Sequence, residues 1–129
     1  MTRILGISGS LRSGSYNTAL LNAAVSLVDS PVELEAATLH GVPLYDGDLE
    51  TSSGLPEAVV ELKSRAMASD GLLLVTPEYN NGIPGVFKNA IDWMSRPGEN
   101  PESVFANRPI AVIGASPGGF GTLLAQNHW

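Results

Sequence analysis

Four apolar segments rich in Ile, Leu and Val are spaced along this 129-residue chain, and amphipathic segments separate them. Each ends in small, polar or proline residues, a pattern typical of β-strands, and the four segments are residues 3–8, 32–38, 71–77 and 109–116. Three of them are almost continuously apolar, as expected of parallel strands covered on both faces. Residues 32–38 instead alternate apolar and Glu side chains, which predicts an edge strand.

The amphipathic segments carry apolar side chains at helical spacing. The stripes predicted to pack on the sheet are Leu20, Ala24 and Leu27 within residues 17–29, Val59, Leu62 and Ala66 within residues 55–70, and Phe87, Ala90, Ile91 and Met94 within residues 84–96. Residues 39–54 are predicted to form a long loop. Strands that alternate with helices indicate a doubly wound parallel α/β sheet, and residues 1–129 are interpreted as a single domain.

The composition narrows the class of function. A formal net charge of −6 argues against binding to nucleic acid or to an anionic membrane, because both need basic surfaces. The chain contains no cysteine, which removes disulfides, thiolate catalysis and cysteine metal sites. The beginning of the chain turns polar too early for a signal peptide, and no apolar run reaches the length of a membrane span. We therefore expect a cytoplasmic protein without membrane insertion.

The loop after the first predicted strand lies in the stretch GISGSLRSGSYNTALL and leads into a helix. Gly9 and Gly14 have the glycine spacing of a phosphate-binding P-loop, but Ser15 and Tyr16 stand where that motif has Lys followed by Ser or Thr. Hydrolysis of nucleoside triphosphates is therefore not expected. The G-x-G-x-x-G spacing of dinucleotide-binding loops is absent as well.

The polar side chains of this loop nevertheless suit a terminal phosphate. Hydroxyl and backbone N–H groups donate hydrogen bonds, a helix N-terminus attracts negative charge, and a guanidinium adds a fork of donors. The side chains concerned are Ser8, Ser10, Arg12, Ser13, Ser15, Asn17 and Thr18. The alternative is a flexible turn in which Ser15 or Asn17 caps the helix and Arg12 is solvated.

The loop after the third predicted strand, within TPEYNNGIPGVFKNAIDW, offers the aromatic ring of Tyr79 among amides and carbonyls. A flat ligand can stack there, with Asn80 and Asn81 hydrogen-bonding to its edge. The residues expected to shape the backbone are Pro77, Gly82, Pro84 and Gly85. The alternative is an ordinary turn with Tyr79 packed on the protein.

The loop after the fourth predicted strand, GASPGGFGT, has a Gly118-Gly119 pair that lets backbone N–H groups approach a ligand closely. Its alternative is a simple connection from strand to helix. The three loops follow the carboxyl ends of parallel strands, where ligands of such sheets bind. Together they indicate a phosphate pocket and a flat heteroaromatic surface, a combination that fits flavin mononucleotide, FMN.

The segments GSLRSGSYN, TPEYNNGIPGVFKNAIDW and SPGGFGT, in this order and spacing, resemble the NADPH-dependent FMN reductase family, which includes bacterial chromate, quinone and azo-dye reductases. The resemblance implies a flavodoxin-like fold. It also implies three groups of FMN-binding residues. The phosphate loop comprises Ser10, Arg12, Ser15, Asn17 and Thr18, the first ring-contacting loop Pro77, Glu78, Tyr79 and Asn80, and the second ring-contacting turn Ser116, Gly118 and Gly119.

The resemblance further implies an enzyme in which NADPH or NADH reduces bound FMN, and the flavin then reduces a quinone, free flavin or another small acceptor by ping-pong kinetics. Homodimers or homotetramers are expected as well. Two alternatives stay open, namely a flavodoxin-type electron-transfer protein and a truncated family member without catalytic activity. No protein side chain is nominated as a catalytic acid or base, because the flavin carries the chemistry.

The remaining polar candidates are interpreted as structural. Glu78 is predicted to accept a backbone N–H at a turn or to lie on the surface, and His40 and His128 are predicted to be solvated. Asp46 and Asp48 suit turn chemistry better than a metal site. Trp93 is predicted to lie in the core, with a subunit contact as the alternative.

The end of the sequence departs from the five-stranded order 2-1-3-4-5 of flavodoxin-like sheets. Residues 123–129 correspond to the start of the helix after the fourth strand, so the order expected here is 2-1-3-4, with the fifth strand and last helix missing from this chain. A protein that ends at Trp129 is expected to associate or swap elements through the edge of its fourth strand.

Overall fold

The chain forms one parallel sheet flanked by helices in the computed structural model, which describes residues 1–98 and 103–129. The strands are β1 (Thr2–Ser8), β2 (Val32–Ala37), β3 (Gly71–Val75) and β4 (Ile110–Ile113). The helices are α1 (Tyr16–Leu27), α2 (Gly47–Ser53), α3 (Glu57–Met67), α4 (Gly85–Met94) and α5 (Leu123–His128). All paired strands are parallel and their order is β2-β1-β3-β4, which confirms the predicted fold class and the edge position of β2.

Helices cover both faces of the sheet. On one face Leu21 of α1 packs with Leu34 and Val75. On the other face Phe87 and Met94 of α4 and residues of α3 pack on the alternate side chains of β1 and β3. The two clusters explain why β1 and β3 are apolar at nearly every position, because successive side chains of a strand point to opposite faces.

The predicted helical stripes are partly corrected. Those of α3 and α4 lie against the sheet as expected, and Trp93 is fully buried in the core. In α1, however, Leu21 is the buried residue, whereas Leu27 is 82% exposed. The reason is that α1 ends at Leu27, where the chain already turns away toward β2. Apolar residues occur around most of the circumference of α1, so the sequence pattern alone does not predict which face is buried.

The prediction that residues 39–54 form a loop without helix is wrong, because α2 lies within them. Asp46 caps this helix, its Oδ1 accepting from the N–H of Asp48 at 2.9 Å. Gly54, at φ 74°, ends it in a conformation that favours glycine. No residue of α2 is buried. The helix therefore needs no apolar stripe, and its sequence lacks the periodic pattern from which a helix is predicted.

Among the described residues, no helix combines the length and the apolar character needed to cross a membrane. The longest of them, α1, has 12 residues.

Candidate functional site

Three loops follow the carboxyl ends of β1, β3 and β4, and they contain the predicted ligand-binding residues. We name them the first loop (residues 9–15), the second loop (residues 76–84) and the third loop (residues 114–122).

Ser15 caps the helix that follows the first loop. Its Oγ accepts from the backbone N–H groups of Asn17 and Thr18, both at 3.2 Å, and its side chain is buried. The capping interpretation is therefore confirmed. It is compatible with phosphate binding, because a hydroxyl that accepts two hydrogen bonds still has its own hydrogen to donate.

The other hydroxyl groups hold the first loop in shape. Ser10 is buried, and its Oγ accepts from the N–H of Arg12 at 3.2 Å. Ser8 and Thr18 share a hydrogen bond of 2.7 Å between their hydroxyl groups, which ties the end of β1 to the first turn of α1. A Cβ on Gly9 would lie 2.2 Å from the ring of Phe87, so the close approach of this loop to α4 requires a glycine.

Arg12 differs from the other cations of the chain. Six of the seven Lys and Arg residues bind a carboxylate or a backbone carbonyl, and they are Arg3, Lys63, Arg65, Lys88, Arg96 and Arg108. The guanidinium of Arg12 is exposed and has no such partner in residues 1–98 and 103–129. The backbone N–H groups of Ser13, Gly14 and Tyr16 likewise make no hydrogen bond within that part of the chain. These donors surround a helix N-terminus, where an anion is favoured.

The second loop contains a two-residue turn. Tyr79 and Gly82 exchange backbone hydrogen bonds of 3.2 and 3.1 Å, and Asn80 and Asn81 adopt φ values of 51° and 61°. The prediction that Gly82 and Gly85 supply the unusual backbone conformations is therefore wrong. The two asparagines supply them, because Asn tolerates the left-handed region better than other residues with a Cβ.

The side chains of the second loop divide into anchored and open ones. Pro77 is buried, and its carbonyl accepts from the hydroxyl of Thr76 at 2.8 Å. Glu78 accepts from the N–H of Ala125 in α5 at 2.9 Å, which confirms its predicted structural role. Tyr79 is 46% exposed and thus leaves its ring open to a ligand.

The third loop presents an open backbone. Ser116 Oγ accepts from the N–H of Gly118 at 3.1 Å. A Cβ on Gly119 would meet nothing within 4 Å, so the space above it is free for a ligand. The left-handed residue of this loop is Gly121, at φ 59°.

Direct contacts link the third loop to α1 and the second loop to α5. Asn17 binds the backbone of Ala115 through both of its side-chain polar atoms, and Glu78 joins the second loop to α5. The structure therefore brings the three predicted groups of residues together at one edge of the sheet.

One residue outside these motifs also holds the site. His40 Nε2 lies 3.1 Å from the carbonyl of Leu11 in the first loop, and its Nδ1 lies 3.1 Å from Thr38 Oγ1. The expectation of a merely solvated histidine is wrong, although the ring is exposed. No sequence signal connects residues 29 positions apart in this way.

A group of interacting polar side chains lies away from the three loops. Arg96 Nε donates to both carboxylate oxygens of Glu50, at 3.0 and 2.9 Å, and lowers the pKa of that carboxyl. Tyr45 donates to the same carboxylate at 2.9 Å, which raises the pKa of the phenol. Lys63 donates to the carbonyls of Arg96 and Pro97, and burial lowers its pKa. A cavity of about 420 Å³ beside Lys63 is separate from the three loops.

A parallel sheet in the order β2-β1-β3-β4, with loops gathered at its carboxyl edge, defines a flavodoxin-like α/β protein. The sequence model described as NADPH-dependent FMN reductase matches residues 2–129. The chain belongs to that family.

Relatives of known name agree with this assignment. An NAD(P)H-dependent FMN reductase of Pseudomonas aeruginosa is 51% identical over 126 residues, which cover 98% of this chain and 66% of the relative. A 2-hydroxy-1,4-benzoquinone reductase of a Burkholderia species is 44% identical over 126 residues, which cover 98% and 67%. The solved structure of the flavoenzyme NAD(P)H:(acceptor) oxidoreductase FerB from Paracoccus denitrificans matches with a TM-score of 0.87 and 38% identity, over 98% of this chain and 68% of that one. The chain thus spans about two thirds of the length of these relatives.

Proposed function

We propose that residues 1–129 are one FMN-binding domain of an NAD(P)H oxidoreductase that reduces quinones, free flavin or other small acceptors. Family membership supports the cofactor and the donor, since the family is that of NADPH-dependent FMN reductases. The names of the relatives include FMN reductase, benzoquinone reductase and quinone reductase, and they support small-molecule acceptors. A cytoplasmic location and a homodimer or homotetramer belong to the same proposal.

The observation that carries the proposal is the guanidinium of Arg12, which has no partner within residues 1–98 and 103–129, beside N–H groups at the start of α1 that are unbonded in the same residues. In an acidic chain of net charge −6, a cation left without a protein partner is available to an anion. The donor set fits a phosphate monoester, because Ser10 and Ser15 also keep hydroxyl hydrogens to donate. Thr18 is a further residue of the phosphate pocket that the resemblance implies, and Asn17 lies beside it in the first turn of α1.

The second and third loops fit the flavin ring. The half-exposed ring of Tyr79 offers a stacking surface, and Pro77, Glu78 and Asn80 are its neighbours in the second loop. Ser116 and Gly118 bend the third loop so that the N–H of Gly119 has no partner in the described residues and faces open space.

Bound FMN would supply the redox chemistry, by accepting hydride from NAD(P)H and passing reducing equivalents to the acceptor. The chain binds and orients it. The first loop would hold the phosphate of FMN and the second and third loops its ring, and an acceptor that binds only after the oxidised nucleotide has left would give ping-pong kinetics.

Anaerobic titration tests the function. Protein loaded with FMN should lose its yellow colour when NADPH or NADH is added, and benzoquinone should restore it. A flavin that binds but is not reduced by either nucleotide would instead support a flavodoxin-type electron carrier. A chain that binds no flavin would refute the proposal.

Replacing Arg12 tests the phosphate pocket. Arg12→Ala should weaken FMN binding by roughly tenfold to a hundredfold, because hydrogen bonds to a charged group contribute about 1.5–3 kcal/mol. Riboflavin lacks the phosphate, so its affinity should change by less than about twofold. Arg3→Ala, which removes a paired arginine at the opposite end of β1, is the matched control and should change neither affinity. Equal losses for both flavins in Arg12→Ala would exclude Arg12 from the phosphate pocket.

A further inference from the structure

Asn17 is buried, with 3% of its surface exposed, and its side-chain amide forms two hydrogen bonds with the backbone of Ala115. Its Oδ1 accepts from the N–H of Ala115 at 2.9 Å, and its Nδ2 donates to the carbonyl of Ala115 at 3.0 Å. The orientation of the amide follows from this pairing, because only the oxygen accepts and only the nitrogen donates.

The bond pair crosses the sheet. Asn17 lies in the first turn of α1, which follows β1, and Ala115 lies just beyond β4. Strand β3 lies between β1 and β4 in the sheet order. Asn17 therefore reaches over the end of β3 to hold the third loop.

The third loop depends on this contact at the point where it leaves the sheet. The regular pairing of β3 with β4 ends at Ile113, whose carbonyl accepts from Thr76. The N–H and carbonyl of Ala115 are the next backbone groups to be bound, and Asn17 binds both. Ser116 follows immediately and begins the turn proposed to contact the flavin ring.

We propose that Asn17 is a positioning residue, which fixes the third loop relative to the first loop, and that it is not a phosphate ligand. The inference rests on the proposed flavin site and changes the role that the resemblance implies for this residue. Arg12 is exposed and unpaired in the described residues, whereas Asn17 is buried and bonded through both side-chain groups. Loss of Asn17 thus loosens the ring end of the site, and the phosphate end keeps its donors.

Two flavins distinguish these roles. Asn17→Ala should weaken FMN and riboflavin binding by the same factor, roughly tenfold, because two hydrogen bonds that position the ring-contacting loop are lost. The ratio of the two dissociation constants should therefore stay at its wild-type value. Arg12→Ala is the contrasting variant, in which only FMN binding falls. Asn22→Ala makes the same change at an exposed position of α1 and should leave both affinities unaltered.

Amide hydrogen exchange of the flavin-free protein gives a second, independent readout. The Ala115 N–H should exchange about tenfold faster in Asn17→Ala, since its acceptor is gone. The Asn22→Ala protein should match the wild type. If Asn17→Ala does not fold, Asn17→Asp, which keeps the acceptor and loses the donor, replaces it. Its readout is riboflavin affinity, which should fall because the hydrogen bond to the Ala115 carbonyl is lost.

Each opposing result is specific. A selective loss of FMN binding in Asn17→Ala would make Asn17 a phosphate ligand, and unchanged affinities for both flavins would reduce it to a structural residue. Unchanged exchange at the Ala115 N–H would show that the hydrogen bonds from Asn17 do not hold the third loop. A wild-type protein that binds neither flavin would refute the proposed function. The exchange measurement would still test whether Asn17 holds the third loop.

Discussion

Gly114 begins the third loop at a point where the chain has no room for a side chain. A Cβ built on it would lie 2.1 Å from Thr122 Oγ1 and 2.2 Å from the backbone oxygen of Thr76. Ordinary contact begins at 3.4 Å, so alanine requires a displacement of about 1.2 Å from Thr76. The φ of Gly114 lies outside the left-handed region, and the obstacle is therefore contact rather than backbone strain.

The atoms in the way cannot move cheaply. Thr76 is fully buried, its N–H donates to Ile113 at 2.8 Å, and its hydroxyl accepts from the indole of Trp129 at 3.2 Å. Overpacking of this kind costs about 1–3 kcal/mol. The lower entropy of the unfolded chain with alanine offsets about 0.4–1 kcal/mol of it. We expect Gly114→Ala to lower the free energy of unfolding by about 1–2 kcal/mol.

Urea unfolding of the flavin-free protein measures this effect. With a slope of about 2 kcal/mol per molar urea, the middle of the usual range, the midpoint should fall by roughly half to one molar. Gly119→Ala is the matched control, because its Cβ would meet nothing within 4 Å. That variant should be as stable as the wild type or slightly more so. The reasoning fails if Gly114→Ala unfolds within about 0.5 kcal/mol of the wild type.

Two further predictions concern carboxylates. The pKa of Glu50 is lowered mainly by the hydrogen bond from Arg96, so its stabilising effect is present above the ordinary value of 4.5 and is lost as the pH falls through the lower folded pKa. Glu50→Gln should therefore be less stable than the wild type near neutral pH and equal to it in acid, and a difference independent of pH in urea unfolding would contradict this. Glu78→Ala should speed amide exchange at Ala125, because the Ala125 N–H loses the carboxylate oxygen that accepts its hydrogen bond. Glu78→Gln keeps a side-chain oxygen and should retain the protection. Equal exchange rates in the two variants would show that this hydrogen bond does not protect the start of α5.

The sheet was predictable because strands buried on both faces need apolar residues at nearly every position, and β1 and β3 have them. The apolar runs of β1 and β3 and the alternating β2 predicted a parallel sheet with β2 at its edge, whereas the strand order was expected from the resemblance to the family. Helix α2 was not found, because a helix without a buried face has no period to detect. Its local signals were Asp46 as N-cap and Gly54 as the stop, but Asp46 was interpreted as a turn residue and Gly54 was included in the predicted loop.

The candidate site was predictable as three loops but not as a set of contacts. Ser15 as a cap follows from local chemistry, whereas the N–H that Glu78 accepts belongs to Ala125, 47 residues away. The partners of His40 and Asn17 lie 29 and 98 residues away, and only the folded chain brings them together. The left-handed turn was assigned to glycines, although Asn80 and Asn81 form it, because glycine is the stronger but not the only residue for such turns.

The bonds from Asn17 to Ala115 also have a kinetic consequence during synthesis. At about 5–20 residues per second, the ribosome needs roughly 5–20 s to add the 98 positions between them. The β1–β2 pair and α1 involve near neighbours and can form first, since short loops close at lower entropic cost. We expect the nascent chain to bind flavin more weakly until Ala115 has emerged and β4 has joined the sheet.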